Sequence, residues 1–316
     1  MSDILLEGPI WTEALLRLFG DGIGPGDHLT GAEAERALYF AEVVGLSHDE
    51  GGQAVVLRAE DDADPELYRH AAVEIMGYFG RMAVKELVPR RQMILSRAAA
   101  RIIAARQDAP VQLRSATQAR AVEILSQETP HEGFFLTRSY RLRHPQFDGE
   151  MTAPLTREVF VATDAAIVLP YDPVRDRVLL IEQFRMGPFG RGDPHPWVLE
   201  PVAGRVDAGE APEETARREC SEEADLALTR LEHVSSHYCS PGCSTEMFHC
   251  YVGLCDLPDG GQSHGGLEAE HEDLRRHVIA FETAMAMTRT GEVNIGPLFA
   301  LLLWLERERH RLTASA

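Results

Sequence analysis

The sequence predicts an α/β chain built from two parts, a smaller α+β domain over residues 1–127 and an α/β domain over 128–316. Three observations carry this. The chain has 316 residues, too many for one small domain and comfortable for two. Its texture changes near 125–130 from helical periodicity to β-type runs. And residues 200–225 read as a broken, Gly-rich loop followed by one strongly acidic helix.

The first part mixes short apolar runs such as "ALYFAEVVGL" and "QAVVLRAED" with helical spacing in "ELYRHAAVEIMGYFGRMAVKEL". Residues 91–126 are Ala- and Arg-rich and helical in pattern, interrupted at Pro110. "FFLTRSYRLRH" and "REVFVATDAAIVLPY" then read as strands. "YDPVRD" has Pro and Asp where a hairpin turn wants them, and "RVLLIEQFR" follows as a strand.

Charge and cysteines bound the function class. The formal net charge is −19, which argues against nucleic acid and anionic membranes as partners, since both select a basic patch. No apolar run approaches eighteen residues and the start lacks a basic, then apolar, leader. Five cysteines, all in the last third, make no disulfide framework, and the expected compartment is the cytoplasm.

The acidic helix is "APEETARRECSEEA". Pro212 suits its first turn, and Glu213 and Glu214 suit its positive N-terminal end. Ala216, Cys220 and Ala224 share a face for packing, with Glu219, Glu222 and Glu223 on the other side. Glu219 and Glu223 are one turn apart, a spacing at which oxygen ligands can hold a hard divalent ion. Arg218 can pair with Glu222 or Glu210. A solvated acidic helix is the competing reading of any two glutamates, but the full pattern is far rarer. It runs Gly204, five residues, Glu210, seven residues, Arg218–Glu219, Cys220, one residue, Glu222–Glu223, one residue, Asp225, Leu226.

That pattern resembles the Nudix box of the Nudix hydrolases, which cleave nucleoside diphosphates linked to another moiety. The box has Gly where this chain has Asp225, a residue that also visits the left-handed conformation a helix end needs. The resemblance implies an α/β/α sandwich with a mixed sheet. It extends over about 129–312, and "DAAIVLPYDPVRDRVLLIEQFRMGPF" with "PWVLEPVAGRVDAGE" resembles the ADP-ribose pyrophosphatase branch. So do Pro241, sixteen residues after Asp225, and the acidic "GLEAEHEDLRRHVI" at 266–279.

The roles it implies fall on named positions. Glu219 and Glu223, with the Ala203 carbonyl and Glu272, would hold Mg²⁺ or Mn²⁺. Glu222 would assist catalysis from the helix, and Glu270 would be the general base. Arg157, Arg185, Pro241 and Glu246 would contact substrate. The implied reaction is ADP-ribose plus water giving AMP and ribose 5-phosphate, in a homodimer that exchanges strands near "FFLTRSYRLRHPQFDG". GDP-mannose or another sugar nucleotide is the alternative substrate, and a non-catalytic nucleotide-binding regulator the alternative class.

In the first part, "ILLEGPIWTEALLRLFG" and "AAVEIMGYFGRMAVKEL" resemble the gamma-glutamylcyclotransferase-like fold. The loop "LEGP" lacks that family's Tyr. Glu74 either stands in for its acid/base or is an ordinary surface residue. The expectation is a degenerate, non-catalytic copy serving dimer contacts or regulation.

Overall fold

The computed structural model describes residues 3–51, 54–107, 110–259, 262–265 and 273–314. The chain divides into two compact units, Met1–Thr163 together with Asp207–Gly209, and Asp164–Val206 with Glu210–Ala316.

In the first unit, β1 (Asp3–Glu7) leads through α1 (Glu13–Leu16) and α2 (Gly31–Val44) to the hairpin β2 (Ser47–Gly51) and β3 (Ala54–Arg58). The sheet order is β1-β3-β2, with β1 parallel to β3. α3 (Pro65–Met76) starts where Asp64 accepts the amides of Glu66 and Leu67 and Pro65 occupies the first turn. Gly77 and Gly80 end the long helical pattern, Gly80 at a φ of 76°, and only the short α4 (Val84–Leu87) follows. α5 (Arg91–Arg106) stops short of Pro110. Ile10, Phe19, Leu29, Phe40 and Ile75 are among the side chains that fill this core. The same unit holds an antiparallel sheet ordered β4 (Glu123–Glu132), β5 (Leu136–Arg143), β6 (Leu155–Val161).

Glu74 is neither exposed nor arranged as a free acid/base. It is buried on α3, where Arg97 of α5 donates Nε to Oε2 (3.1 Å) and Nη2 to Oε1 (2.5 Å). Arg138 of β5 lies 3.9 Å away, and its buried Nε makes no hydrogen bond among the described residues. The carboxylate survives burial because the bidentate guanidinium replaces its lost hydration.

The second unit is a mixed sheet between helices. β7 (Ala165–Asp172) and β8 (Arg177–Phe184) form the predicted hairpin, followed by α6 (Met186–Arg191), β9 (Trp197–Glu200), β10 (Val202–Arg205) and α7 (Pro212–Ala224). Then come β11 (Arg230–Tyr238), β12 (Met247–Leu254), β13 (Gln262–Gly265), β14 (Leu274–Ala280), α8 (Phe281–Thr290) and α9 (Gly296–Ala314). The order is β11-β12-β7-β8-β14-β13, with β10 on β7 and β9 on β8; β12 and β7 are parallel. Alternation divides the strands between the two layers. Ile167, Leu169, Tyr171, Val178 and Leu180 pack with α8 and α9. The alternate positions Ala166, Val168, Leu179 and Ile181 are buried on the face that carries α7.

Asp172 clasps the β7–β8 turn. One oxygen accepts the amides of Val174 and Arg175 (3.0 Å each), and the other accepts Arg175 Nε (2.7 Å) and the Leu257 amide (3.3 Å).

Replacing Arg97 with Met is expected to cost about 3–5 kcal/mol, because it strands Glu74 in the core. The measurement is the midpoint of chemical unfolding followed by a probe in the first unit. A loss under about 0.5 kcal/mol, the surface-substitution range, would show that the pair carries no structural weight.

Candidate functional site

The site grows from β10, the loop after it, and α7. Ala211 precedes the helix, and its amide is capped by the Glu214 carboxylate at 2.8 Å. Ala216, Cys220 and Ala224 are buried, so the packing face expected from their spacing forms. At the far end Asp225 takes the left-handed conformation (φ 55°, ψ 40°). The Leu226 amide returns to the Cys220 carbonyl at 3.0 Å and the Asp225 amide to Ser221 at 3.1 Å. This is a Schellman-type stop, and the Asp in place of Gly does not disturb it.

Arg218 is the centre of the cluster. Its Nε and Nη2 donate to the two oxygens of Glu210 (2.9 and 3.0 Å). Its Nη1 donates to Glu219 Oε1 (2.7 Å) and Glu222 Oε2 (2.9 Å), and Nη2 also reaches the Arg205 carbonyl (3.4 Å). Both pairings allowed by the sequence are made at once. Thr215 donates to Glu210 as well, at 2.7 Å. The hydrogen bond to Glu210, ahead of the charges and bonds of Glu219 and Glu222, pushes the guanidinium pKa above its already high ordinary value.

Glu223 is 3% exposed, and its Oε2 accepts the backbone amide of Ala203 at 3.3 Å. Glu219 presses on β10 so closely that a Cβ on Gly204 would fall on its carboxylate. A methyl group fits there only if the Glu219 side chain moves away. Glu219 and Glu223 thus lie against Ala203 and Gly204 of β10, and Glu222 is joined to Glu219 through Arg218. The donors are carboxylate and carbonyl oxygens, the set a hard divalent cation prefers. Among the described residues no three His, Cys, Asp or Glu side chains are already gathered as ligands, because Glu210, Glu219 and Glu222 turn to Arg218.

The other expected residues are placed less centrally. Arg185, at the end of β8, donates Nε to Glu200 of β9 at 2.6 Å, a partner set by the register Phe184↔Trp197. Arg157 is exposed on β6 of the other unit, its Nη1 on the Thr156 carbonyl. Pro241 and Glu246 lie in the β11–β12 loop, where Glu246 accepts the Cys239 thiol at 3.0 Å. Glu270 and Glu272 fall in 266–272, outside the described residues.

One pair was missed. His249 of β12 is buried, with Nε2 at 3.1 Å from Asp164 Oδ2 and Nδ1 at 2.9 Å from Ser236 Oγ. Register sets His249 and Gly204 opposite the same residue, Ala166. Eighty-five residues separate His249 from Asp164, and no local pattern signals such a pair. A cleft of about 470 Å³, lined by Leu180, Glu182, Trp197, Leu199, His277 and Ile279, opens on the α8 side of the sheet, and none of the α7 glutamates lines it.

A family model described as the NUDIX domain matches residues 161–301. The ADP-ribose pyrophosphatase of Escherichia coli (strain K12) is 40% identical over 191 residues, spanning 60% of this chain and 90% of that protein. The ADP-ribose pyrophosphatase of Haemophilus influenzae is 36% identical over 196 residues, 61% of this chain and 90% of that one. The GDP-mannose pyrophosphatase of Enterobacter sp. (strain 638) is 30% identical over 185 residues, 58% and 95%.

Gly204→Ala is expected to keep the fold and lower activity at least about tenfold, since Glu219 must leave its place to admit the methyl group. Unchanged turnover with an unchanged melting curve would refute the close approach. Asp225→Gly is expected to stabilise by about 0.5–1 kcal/mol by relieving the left-handed backbone, read from thermal unfolding.

Proposed function

This chain belongs to the Nudix hydrolase family, and we propose that it hydrolyses the diphosphate of ADP-ribose to AMP and ribose 5-phosphate. The observation that carries the reading is the glutamate cluster braced by Arg218 against a glycine-bearing strand. It stands in a chain 40% identical to a curated ADP-ribose pyrophosphatase.

Glu219, Glu223 and the Ala203 carbonyl are the proposed holders of Mg²⁺ or Mn²⁺, with Glu272 as a further contact. When bound, such a cation neutralises diphosphate charge and sharpens the acidity of water. The chain's own residues do the rest. Arg218 spreads the repulsion of its glutamates and fixes their orientation. The burial of Glu223 keeps bulk water from its carboxylate. Glu222, about one-third exposed, faces the open side, where it assists catalysis. Glu270 is the proposed base that takes the proton of the attacking water. Arg185 is proposed to bind substrate by exchanging Glu200 for a phosphate oxygen, a ligand its planar fork suits equally well. Arg157, Pro241 and Glu246 complete the proposed substrate contacts.

We also propose a functional Nudix part starting at 128, a homodimer, and a cytoplasmic setting. Exposed Ile124, Phe134 and Phe135 along the β4–β5 hairpin support an assembled partner. No helix of the described residues is long and apolar enough to cross a membrane. The part before 128 is proposed as a degenerate, non-catalytic module serving dimer contacts or regulation, because Glu74 is committed to Arg97.

A turnover panel with Mg²⁺ over ADP-ribose, GDP-mannose, ADP-glucose, NADH and diadenosine polyphosphates tests the substrate. AMP and ribose 5-phosphate as preferred products support it; preference for GDP-mannose moves the assignment with the machinery unchanged. Glu223→Gln is expected to lower Mg²⁺-dependent kcat by about 10²-fold or more with an intact fold. Equal turnover at saturating metal would overturn the ligand assignment.

A further inference from the structure

We propose that Cys239 and Cys243 form a peroxide-responsive dithiol whose closure to a disulfide tunes substrate binding. The tuning half rests on the ADP-ribose reading; the disulfide does not. Of the five cysteines, Cys220, Cys250 and Cys255 are buried, and only Cys239 and Cys243 are exposed. Both stand in the β11–β12 loop, on either side of Pro241. The Ser240 carbonyl accepts the amides of Cys243 (3.1 Å) and Ser244 (2.9 Å), so one helix-like turn runs from Ser240 to Ser244, with Cys243 inside it and Cys239 one residue before it. That turn folds the chain back between the two cysteines, which stand four positions apart. A disulfide needs Cβ atoms about 3.5–4.5 Å apart, so the loop tightens about this turn when the bond closes.

The two thiols are not equivalent. Burial, then the hydrogen bond to Glu246, pushes the Cys239 thiol up to about 11, so it stays protonated at neutral pH. Among the described residues the Cys243 thiol bonds the Ser240 hydroxyl, at 3.3 Å, with no carboxylate beside it, and it is the thiol assigned to attack. A hydroperoxide is the oxidant. The Cys243 thiolate attacks one oxygen of hydrogen peroxide and becomes a sulfenic acid, breaking the O–O bond and expelling hydroxide, which takes up the proton the thiol released and leaves as water. Cys239 then attacks that sulfur while Glu246, 3.0 Å away, takes its proton and passes it to the departing hydroxide. The net change is two thiols and one peroxide to one disulfide and two waters.

Glu246 is where the chemistry meets the site. In the reduced loop it accepts the Cys239 thiol, and its carbonyl accepts the Cys239 amide at 3.3 Å. Oxidation removes the thiol proton and leaves the carboxylate to find another donor. Pro241 is meanwhile enclosed in the new ring.

The test uses the full chain treated with hydrogen peroxide under native conditions. Intact mass and peptide mapping should show the loss of two hydrogen masses within 239–243, reversed by dithiothreitol, with the three buried thiols unmodified. The KM for ADP-ribose should shift about fivefold or more, with kcat within about twofold, a coupling of ordinary size. Cys243→Ser should keep reduced-state kinetics and lose the response. Sulfinic acid, an interchain disulfide, or an unmodified pair would overturn the dithiol. A disulfide with unchanged KM would overturn the tuning. If the reduced enzyme does not turn over ADP-ribose, the substrate reading fails while the mass readout still judges the disulfide.

Discussion

One guanidinium keeps the acidic helix from being a liability. Within 210–223 the chain places Glu210, Glu213, Glu214, Glu219, Glu222 and Glu223. Like charges one turn apart cost about 0.2–0.5 kcal/mol per pair even in solvent. Arg218 holds Glu210, Glu219 and Glu222 and the Arg205 carbonyl, which ties the strand end, the loop and the helix into one brace. A lysine could not do this, because its point charge lacks the planar fork that engages both Glu210 oxygens while reaching two others.

The sheet brings the remaining pieces to the same end. β7 is flanked by β12 and β10, so Ala165 sits between Phe248 and Arg205. The strand bearing Ala203 and Gly204, the loop leading to α7, and the β11–β12 loop therefore emerge together. Parallel pairing of β7 with β12 makes this possible, since it runs the β11–β12 loop into β12 at the end where β7 begins.

How much of this could be read from sequence depended on range. The loop and helix at 204–225, the hairpin turn after Asp172, the break before Pro110 and the left-handed Asp225 were all legible, since each is decided by residues within a few positions. Arg218 was legible as a partner of Glu210 or Glu222 because helical spacing limits its reach. Its simultaneous bonds were not, since they need the loop folded back onto the helix. The crowding at Gly204 comes from a side chain on a helix fifteen residues on. Glu74 stayed ambiguous because Arg97, which settles it, is twenty-three residues away on another helix. The pairing of Asp164 with His249 exists only once β7 and β12 are neighbours.

The Asp172 clasp gives the molecule a weak point of a different kind. Burial alone would raise this carboxyl's pKa, but the bonds from Arg175, Leu257 and Val174 outweigh it and hold the pKa below the ordinary range. A carboxylate depressed in this way adds stability that is complete above its unfolded value, about 3.9. That stability drains away as pH falls through the lower folded value. Asp172 lies five residues along β7 from Ile167, the partner of Ala203, or about 17 Å at strand rise. Acid therefore loosens the sheet at the end of β7 opposite to its pairing with Ala203. Acidification thus weakens the junction where β7, β8 and the segment around Leu257 meet.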